Sequence, residues 1–562
     1  MKRLMLFFII TCLAAEINVW GANKYVVFLK DKNNSPYTLS NPQEFLSQRA
    51  IERRNKFNIP FDEKDLPVTP SYISQIVATG AVALYPLKWI NAVVIFAADA
   101  GILNAVATLP FVDHISPGNK APHQSGKDRS AINQIGGIPP YSTGPPTIPS
   151  NNRSTGSLDY GTAWNQVSMI GLHNLHDMGY TGQDRMIAVL DAGFWDVDQG
   201  VAFSYLWQNN LIAGTRDFAT PGGNVFMNHT HGESVLSIMG ANLPGQIIGT
   251  APDATYWLIR TEDAWGGESL LEEYNWAAGA ELADSVGADI ISSSLVYTTF
   301  DDPAYNHTYS DLNGNTTPIT IASDRAASRG MLVINAEGND GEKPWYYMGA
   351  PADGDSVFSI GAVDEKGIYQ AFSGKGPTAD GQIKPDVLAQ GYNTAMIYGN
   401  GVLTVGTGTS FATPVISGAL ACLWQSVPAV SAEDIRNVVR NTASNSASPD
   451  NFSGWGIPNI MAARAGLISL SSGSSKALIA PVFSLVQNPF ENLPVLKIQG
   501  EINSPLELEI FSANGKLLHL SRIATNSPKH MELKAFNNLP TGLYLIRLHD
   551  DIHYETLQAI KL

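Results

Sequence analysis

The sequence predicts an α/β fold with a parallel sheet and helices on both faces, preceded by a small α+β unit and followed by an all-β sandwich. Five apolar runs in the middle of the chain alternate with helical stretches: MIAVLDA, ATYWLIR, ADIISSSL, GMLVINAEGN and SVFSIGAVD. Continuous apolar runs are typical of parallel strands that helices cover on both faces. The segments before and after this region have different patterns of apolar and polar residues, so we expect them to form separate domains.

The composition is that of a globular chain. At 562 residues the chain is too long for one hydrophobic core, because domains average about 150 residues. Hydrophobic residues make up 44% and charged residues 15% of the sequence, which is typical of folded proteins. The formal net charge of −16 argues against a nucleic-acid partner, since phosphate binding needs clustered lysine and arginine.

Residues 1–22 read MKRLMLFFIITCLAAEINVWGA, in which two basic residues precede an apolar run. This pattern is typical of a secretory signal peptide. A membrane anchor is the alternative, but the run is too short to span a bilayer. We therefore expect an exported protein with no membrane span in the mature chain. Removal of Cys12 would leave Cys422 alone, so no disulfide is expected.

The segment before the apolar runs divides into two parts. Residues 23–116 alternate short apolar runs, such as KYVVFLK and INAVVIFAA, with two or three helical stretches, which predicts a small α+β domain. Residues 117–160 are rich in proline, glycine, serine and asparagine. Such a composition buries little surface and indicates a linker that is open to proteolysis. The α/β domain then occupies residues 161–470.

Residues 471–562 begin with the serine-rich stretch SSGSSK and continue as short strands of alternating polar and apolar residues. Turn signals occur at Asn514-Gly515 and at Pro540-Thr541-Gly542. Period-two alternation interrupted by such turns predicts a small antiparallel β-sandwich.

The stretch GTGTSFATPVISG at residues 406–418 places Ser410 at the start of a predicted helix, behind glycines that let the backbone approach a ligand. Two interpretations are open. Ser410 is an N-cap, whose oxygen accepts a bond from a free N–H of the first turn. Alternatively, it is a nucleophile that uses those N–H groups and the positive helix end to hold an oxyanion.

Other polar residues stand where the predicted strands end. Asp191, Ser294 and Asn339 each close an apolar run, and ligands of open α/β sheets bind beyond the carboxyl ends of the strands. His231 lies in HTHGES, just before an apolar helix. It is a helix-start histidine or, together with His229, half of a metal site, although no third ligand follows at motif spacing.

The stretches DAG, HGES and GTSFATP occur in the order Asp, His, Ser, which resembles the subtilisin-like serine proteases, the subtilases of peptidase family S8. Supporting stretches between residues 160 and 466 include GQIIGTAPDATYWLIR, GMLVINAEGNDG and FSGKGPTADGQIKPDVLAQG. The resemblance implies a subtilisin-like fold and a secreted endopeptidase that cleaves peptide bonds through an acyl-enzyme intermediate. A catalytically inactive adhesion or scaffold protein of the same fold is the alternative.

The resemblance also implies the role of each site residue. His231 would take the proton of the attacking Ser410 hydroxyl, and Asp191 would fix the imidazole tautomer and stabilise the imidazolium. The backbone N–H of Ser410 and the side-chain amide of Asn339 would hold the oxyanion. This chemistry requires no cofactor.

The substrate-binding wall of the family usually reads Ser-Leu-Gly-Gly, and here it reads Ser294-Leu295-Val296-Tyr297. The resemblance implies that Ser294, Leu295, Val296 and Gly338 bind the substrate. A side chain at Val296 is expected to crowd the pocket for the residue before the scissile bond. Glu337 stands where a small residue is common. Either it faces the cleft and favours basic substrates, or it points into a solvated loop.

The stretch DLNGN at residues 311–315 resembles a calcium loop. Its glycine is misplaced and the closing glutamate is absent. A structural calcium ion stays compatible with the sequence, but no metal ligand is assigned.

The flanking segments resemble known modules of these proteases. Residues 23–116 are similar to a propeptide, a ferredoxin-like unit that assists folding and inhibits the enzyme until the linker is cut. The last ninety residues resemble a type IX secretion (Por) sorting domain, with QNPF, NGK and LPTGLYLIRL as its motifs; an ordinary β-sandwich binding module is the alternative. The expected partners are protein or peptide substrates, the chain's own propeptide and the type IX machinery, with secretion through the periplasm to the medium or the cell surface.

Overall fold

The computed structural model describes residues 23–118, 158–471, 482–499, 505–512, 516–524, 530–549 and 554–562. The predicted signal peptide, nearly all of the predicted linker and the predicted turn at Asn514-Gly515 lie outside the described residues. Among the described residues, no helix has both the length and the apolar character needed to cross a bilayer.

The N-terminal domain is an antiparallel sheet with helices between its strands. Its elements are β1 (Lys24–Leu29), α1 (Gln48–Lys56), α2 (Pro70–Ala78), β2 (Val82–Leu87), β3 (Ala92–Phe96), α3 (Ala100–Ala107) and β4 (Val112–Pro117). The strand order is β2-β3-β1-β4, and every pairing is antiparallel. This order is that of a ferredoxin-like unit, so the predicted fold of the segment is confirmed.

The central domain contains nine helices of the described chain. They are α4 (Trp164–Ser168), α5 (Leu172–Asp177), α6 (Ser204–Gln208), α7 (His231–Gly240), α8 (Leu271–Val286), α9 (Pro318–Ser328), α10 (Thr409–Ser426), α11 (Ala432–Asn441) and α12 (Ile460–Ser471). Its strands are β5 (Met186–Asp191), β6 (Ile212–Asp217), β7 (Asn242–Leu243), β8 (Ile247–Ile248), β9 (Thr255–Arg260), β10 (Ile290–Ser293), β11 (Leu332–Ala336), β12 (Val357–Val363), β13 (Val387–Gln390), β14 (Thr394–Tyr398) and β15 (Val402–Gly406).

Seven of these strands form one parallel sheet in the order β13-β12-β11-β10-β5-β9-β6. Strand β5 contributes side chains to a hydrophobic core on each face of the sheet. Ile187 and Val189 belong to the core that includes α7 and α10, whereas Ala188 and Leu190 belong to the core that includes α8 and α9. Successive side chains of a strand point to opposite faces, so a strand covered on both faces needs apolar residues at every position. The predicted parallel sheet is confirmed.

The N-terminal domain packs its sheet against α8. Leu87 and Trp89 share a core with Trp276 and Ala277 of that helix. The carboxylate of Glu281 accepts the backbone N–H groups of Lys88 and Trp89 at 2.7 and 2.9 Å. Apolar burial and charge-assisted hydrogen bonds therefore hold the two domains together.

A buried ion network lies at the same interface. The Arg54 guanidinium lies 3.0 Å from the carboxylate of Asp65 and 2.8 Å from that of Asp284 in α8. Arg53 also pairs with Asp284, at 2.7 Å. Burial opposes the charged form of Asp284, but Lys88, Arg53 and Arg54 outweigh burial and lower the pKa of this carboxyl to about 2. Each buried carboxylate of the network therefore has at least one cation beside it.

The C-terminal residues form two antiparallel sheets. Their strands are β16 (Val482–Leu485), β17 (Val495–Gln499), β18 (Leu506–Ser512), β19 (Leu517–Ile523), β20 (His530–Glu532), β21 (Gly542–His549) and β22 (Tyr554–Lys561). The sheets have the orders β16-β17-β20 and β19-β18-β21-β22. Phe483 and Leu496 of the first sheet share a core with Ile510 and Ile546 of the second, so the predicted β-sandwich is confirmed.

We expect Arg54→Ala to destabilise the full-length chain by about 3–5 kcal/mol, because it removes the cation that bridges the two buried carboxylates of Asp65 and Asp284. The measurement is the midpoint of urea unfolding followed by circular dichroism. The control is Lys64→Ala, which changes an exposed lysine of the same domain and should shift the free energy of unfolding by less than about 0.5 kcal/mol. Equal midpoints for the two variants would contradict the importance of the network.

Candidate active site

One cleft at the carboxyl edge of the parallel sheet collects most of the predicted site residues. Its lining comprises residues from five separate stretches of the sequence: His231, Glu262, Glu268, Ser294, Leu295, Val296, Ala336, Asn339, Thr407, Gly408, Thr409, Ser410 and Phe411. The predicted residues Asp191 and Gly338 do not line it.

Asp191 lies behind the cleft and contacts His231. It is the last residue of β5 and is fully buried. Its Oδ1 atom lies 2.8 Å from Nδ1 of His231, the first residue of α7. Burial disfavours the imidazolium, but the Asp191 carboxylate outweighs burial and raises the pKa of His231 above its usual value. Because Nδ1 is engaged by the carboxylate, Nε2 is the ring nitrogen left for the cleft.

Gly232 is required for this close approach. A Cβ atom at Gly232 would lie 2.3 Å from the carbonyl oxygen of Gly193 and 3.0 Å from Cβ of Asp191. Any larger residue would therefore push α7 away from the end of β5 and separate His231 from its carboxylate.

His229 contacts the backbone of its neighbour. Its Nδ1 accepts the backbone N–H of His231 at 3.1 Å, and burial together with the nearby His231 lowers the pKa of His229 to about 4. Within the part of the chain that the structure describes, no three His, Cys, Asp or Glu side chains are grouped to hold a metal ion. His229 is thus a neutral hydrogen-bond acceptor that supports the start of α7.

Ser410 is the second residue of α10, because the N-cap is Gly408. The N-cap interpretation of Ser410 is therefore wrong. Gly408 has φ of +154° and ψ of +154°, a backbone conformation that L side chains rarely adopt. The Ser410 hydroxyl donates to the carbonyl oxygen of Ser294 at 3.3 Å. No hydrogen bond between Ser410 and His231 is found among the described residues, and the two side chains meet as walls of the same cleft.

Pro414 explains a second contact of Ser294. A proline inside a helix has no N–H, so the carbonyl group four residues before it loses its helical partner. That carbonyl belongs to Ser410, and it accepts the Ser294 hydroxyl at 2.8 Å instead. Ser294 and Ser410 therefore exchange two hydrogen bonds, which join the end of β10 to the start of α10.

The side-chain amide of Asn339 is oriented by Thr409. Oδ1 of Asn339 accepts the backbone N–H of Thr409 at 2.9 Å and its hydroxyl at 3.1 Å. Since a backbone N–H is only a donor, the oxygen must face Thr409, which leaves the amide NH2 group as a donor for another partner. Thr409 also accepts the N–H of Gly338 at 3.2 Å, so it holds the loop after β11.

The wall at residues 294–296 lies in the cleft as predicted, but Gly338 does not line it. A Cβ atom at Gly338 would lie 3.7 Å from Cγ2 of Val296, so the Val296 side chain packs beside this glycine. The carbonyl group of Gly338 accepts the N–H of Gly374 at 2.9 Å. Gly338 thus supports the wall from behind.

Both interpretations of Glu337 are wrong. Its side chain is fully buried and is absent from the lining of the cleft. Burial raises the pKa of Glu337 to about 8, although the nearby Lys384 acts in the opposite direction. Glu337 is therefore an interior carboxyl group and neither a cleft residue nor a loop residue.

Two cleft residues, Glu262 and Glu268, were missed in the sequence. Glu262 follows β9 by two residues, and Glu268 lies in the loop before α8. Strand β9 resembles β5 in this respect, since its apolar run ATYWLIR is followed by the polar stretch TED. That signal could have identified Glu262.

Residues of the DLNGN stretch form hydrogen bonds with neighbouring protein groups. The Asp311 carboxylate accepts the backbone N–H of Thr308 at 2.7 Å, and the N–H of Gly314 donates to Asp353 at 2.9 Å. A structural calcium ion, with no ligand assigned, stays a prediction.

Comparison with known proteins identifies two families in the chain. Residues 182–456 match the subtilase family, peptidase S8. Residues 24–132 match the peptidase S8 propeptide domain of Bacteroidota, a match that extends into the predicted linker.

Several curated proteins are similar to this chain. Subtilisin E of Bacillus subtilis (strain 168) is 28% identical over 311 residues, which cover 55% of this chain and 71% of the relative. Subtilisin of Bacillus pumilus is also 28% identical over 311 residues, with 98% of the relative covered. The thermostable alkaline protease of Halalkalibacterium halodurans is 28% identical over 285 residues, which cover 50% of this chain and 68% of the relative.

Among solved structures, that of the prenylagaramide maturation protease PagA is 26% identical and covers 53% of this chain and 98% of its own, with a TM-score of 0.41. The sequence matches carry the assignment. Residues 182–456 therefore belong to the subtilase family, peptidase S8, and residues 24–132 belong to the propeptide domain of that family in Bacteroidota.

Proposed function

We propose that this protein is a serine endopeptidase that hydrolyses peptide bonds through Asp191, His231 and Ser410 and is made as a zymogen. The observation that carries the proposal is the 2.8 Å contact between the Asp191 carboxylate and His231, at a cleft that Ser410 and Asn339 also line. The subtilase family assignment supports a serine peptidase acting on proteins or peptides.

The proposed chemistry starts from the weakness of a serine hydroxyl as a nucleophile near pH 7. A base must accept its proton as the oxygen attacks the carbonyl carbon. Nε2 of His231 is suited to this task, because Nδ1 is held by Asp191 and the ring is neutral at a pH above its pKa. Asp191 then stabilises the imidazolium, and the imidazolium gives its proton to the leaving amine. For this step the Ser410 hydroxyl must leave Ser294 and turn toward His231.

The oxyanion of the tetrahedral intermediate needs donors that are already in place. Ser410 offers its backbone N–H, which has no partner within the helix because it belongs to the first turn of α10. Asn339 offers its amide NH2 group, since Thr409 occupies its oxygen. The positive end of the 18-residue helix α10 adds favourable potential at the same point.

The N-terminal domain is proposed to act as an inhibitor of its own enzyme. It packs on α8, and its last described residue, Gly118, lies close to that helix: a Cβ atom there would be 3.2 Å from Cδ1 of Leu271. Leu271 is the first residue of α8 and follows Glu268 of the cleft by three positions. The chain thus leaves the N-terminal domain near the cleft, and cutting after this point would leave the domain held by its non-covalent contacts alone.

Export completes the proposal. The predicted signal peptide directs the chain to the periplasm, and the C-terminal sandwich is proposed to serve as a type IX sorting domain, so that the enzyme is secreted or held at the cell surface. The alternative function of the C-terminal β-sandwich is that of a binding module. Structural calcium is proposed as a stabilising ion, with its ligands unassigned.

A fluorophosphonate probe should label the matured protein, and Ser410→Ala should abolish the label. The same variant should keep the linker uncut if maturation is autocatalytic, as gel electrophoresis would show. The control is Ser426→Ala, which changes a serine at the far end of α10 whose hydroxyl bonds to Leu423; it should be labelled like the wild type. Absence of labelling in matured wild-type protein would instead favour the inactive scaffold.

The pH profile of kcat/KM should have an acidic limb whose midpoint lies above 6.5, the ordinary value for histidine, because the carboxylate raises the pKa of His231. The sign follows from the role of the ring: only the neutral imidazole accepts a proton, so activity falls as the pH drops through the raised pKa. Hydrolysis of an N-acetylated peptide between pH 5 and 9 measures it. A midpoint below 6.5 would contradict the assignment of His231 as the base.

Asn339→Ala should lower kcat by about 10²–10³-fold and leave KM nearly unchanged, because the amide acts only when the oxyanion forms. Steady-state kinetics on one peptide substrate measure both constants. Asn437→Ala removes an exposed amide of the same domain and should leave both constants at wild-type values. A rise in KM at constant kcat for Asn339→Ala would indicate ground-state binding instead.

A further inference from the structure

Helix α7, which begins with the proposed catalytic base, forms three side-chain hydrogen bonds with strand β14 and the turn after it. The Ser234 hydroxyl donates to the carbonyl oxygen of Ile397 at 2.8 Å, and the N–H of Ile397 donates to the Ser237 hydroxyl at 2.8 Å. The carboxylate of Glu233 accepts the N–H of Gly399, also at 2.8 Å. Three side chains of one helix therefore fix the position of this strand.

The Glu233 carboxylate lies against the turn between β14 and β15. Gly399, Asn400 and Gly401 form this turn, and their φ angles are all positive, at 40°, 55° and 77°. A turn of this kind directs successive N–H groups to one side, where they make a site for an anion. Glu233 is only 1% exposed, so the anion at this turn belongs to the protein itself.

Strand β15 connects this contact to the proposed nucleophile. The strand ends at Gly406 and pairs with β14 over its whole length, and Ser410 follows four residues later. Beside Ser410, the ring of Phe411 lies 5.9 Å from that of His231. The turn, the hairpin and the start of α10 thus join the helix of His231 to the helix of Ser410.

The turn also contacts the loop after β5. The indole N–H of Trp195 donates to Oδ1 of Asn400 at 3.4 Å. The backbone N–H of Trp195 donates to the carbonyl oxygen of His229 at 3.1 Å. A displaced turn would therefore disturb both the segment that follows Asp191 and the segment that precedes His231.

We propose, on the basis of the proposed function, that Glu233 is a positioning residue for the reaction, whose carboxylate holds the β14–β15 turn so that His231 and Ser410 face each other. Glu233 does not line the cleft, so it acts on the reaction through the turn. The negative charge matters, because a carboxylate accepts N–H groups more strongly than a neutral acid or an amide does.

The charge of Glu233 depends on pH in the neutral range. Burial raises the pKa of Glu233 to about 7, and Asp196 of the loop after β5 acts in the same direction. The N–H groups of the turn act against them. The other titratable side chains of the packed elements are His231 of α7 and Tyr398 of β14. Because the carboxylate is the form that holds the turn, its contribution to the rate should be present above pH 7 and lost as the pH falls through that value.

The test uses the similarity of glutamine to a protonated glutamate. It measures kcat and KM of the matured full-length enzyme on one N-acetylated peptide between pH 5 and 9, for the wild type and for Glu233→Gln. At pH 9 we expect the wild type to exceed the variant about tenfold in kcat, as for one hydrogen bond to a charged group, with KM changed less than about twofold. At pH 5 the two enzymes should have equal kcat, because Glu233 is then protonated. Protonation of His231 cancels in this ratio, since both enzymes share it.

Two further variants keep the test decisive. Glu365→Gln makes the same change at an exposed glutamate of the same domain and should match the wild type at every pH. Should Glu233→Gln fail to fold, Asp196→Asn replaces it. Asp196 has a φ angle of 60°, which asparagine tolerates, and removal of its charge should lower the pKa of Glu233. This variant should match the wild type at pH 9 and exceed it about 1.5- to threefold near pH 6.5.

The possible outcomes are distinct. A ratio of wild type to Glu233→Gln that is the same at pH 5 and pH 9 would overturn the inference, because it would show a role that does not depend on charge. A rise in KM at constant kcat, or a pH profile that Asp196→Asn leaves unchanged, would overturn it as well. In these cases hydrolysis itself upholds the proposed function. A matured enzyme that neither reacts with fluorophosphonate nor cleaves any peptide would overturn the proposed function and this inference with it.

Discussion

The parallel register of the central sheet is the constraint on which the cleft depends. Asp191 pairs with Arg260 across β5 and β9, and Ser293 pairs with Leu190 and with Asn335 across β5, β10 and β11. Because parallel strands all end at the same edge, the residues after these strands meet in space although they are far apart in sequence. A slip of one residue in any strand would turn its side chains to the opposite face.

The start of α10 converts this edge into a shaped site. Thr409 bonds to Gly338 and Asn339 of the loop after β11, while Ser410 exchanges two hydrogen bonds with Ser294 after β10. The bond from the Ser294 hydroxyl to the Ser410 carbonyl forms because Pro414 has no N–H to donate to that carbonyl. The residue after β10 therefore supplies the hydrogen bond that the helix cannot. As a result, the proposed nucleophile is held between the ends of two strands.

Helix α8 connects the N-terminal domain to the cleft. Its middle and last turns carry Glu281 and Asp284, which bind that domain through backbone N–H groups and buried arginines. Its first residue, Leu271, lies beside the end of the domain and follows Glu268 of the cleft by three positions. One helix thus connects the inhibitory contact that we propose with the cleft.

Local patterns in the sequence determined the fold and most of the candidate site. Continuous apolar runs, and the residue types at their ends, depend on near neighbours, so the positions of Asp191 and Asn339 were predictable. Side-chain direction beyond a strand end depends on distant segments. Tertiary packing alone therefore decided that Glu337 is buried, that Glu262 enters the cleft and that the Ser410 hydroxyl bonds to a strand carbonyl, because each outcome requires partners that lie far away in the chain.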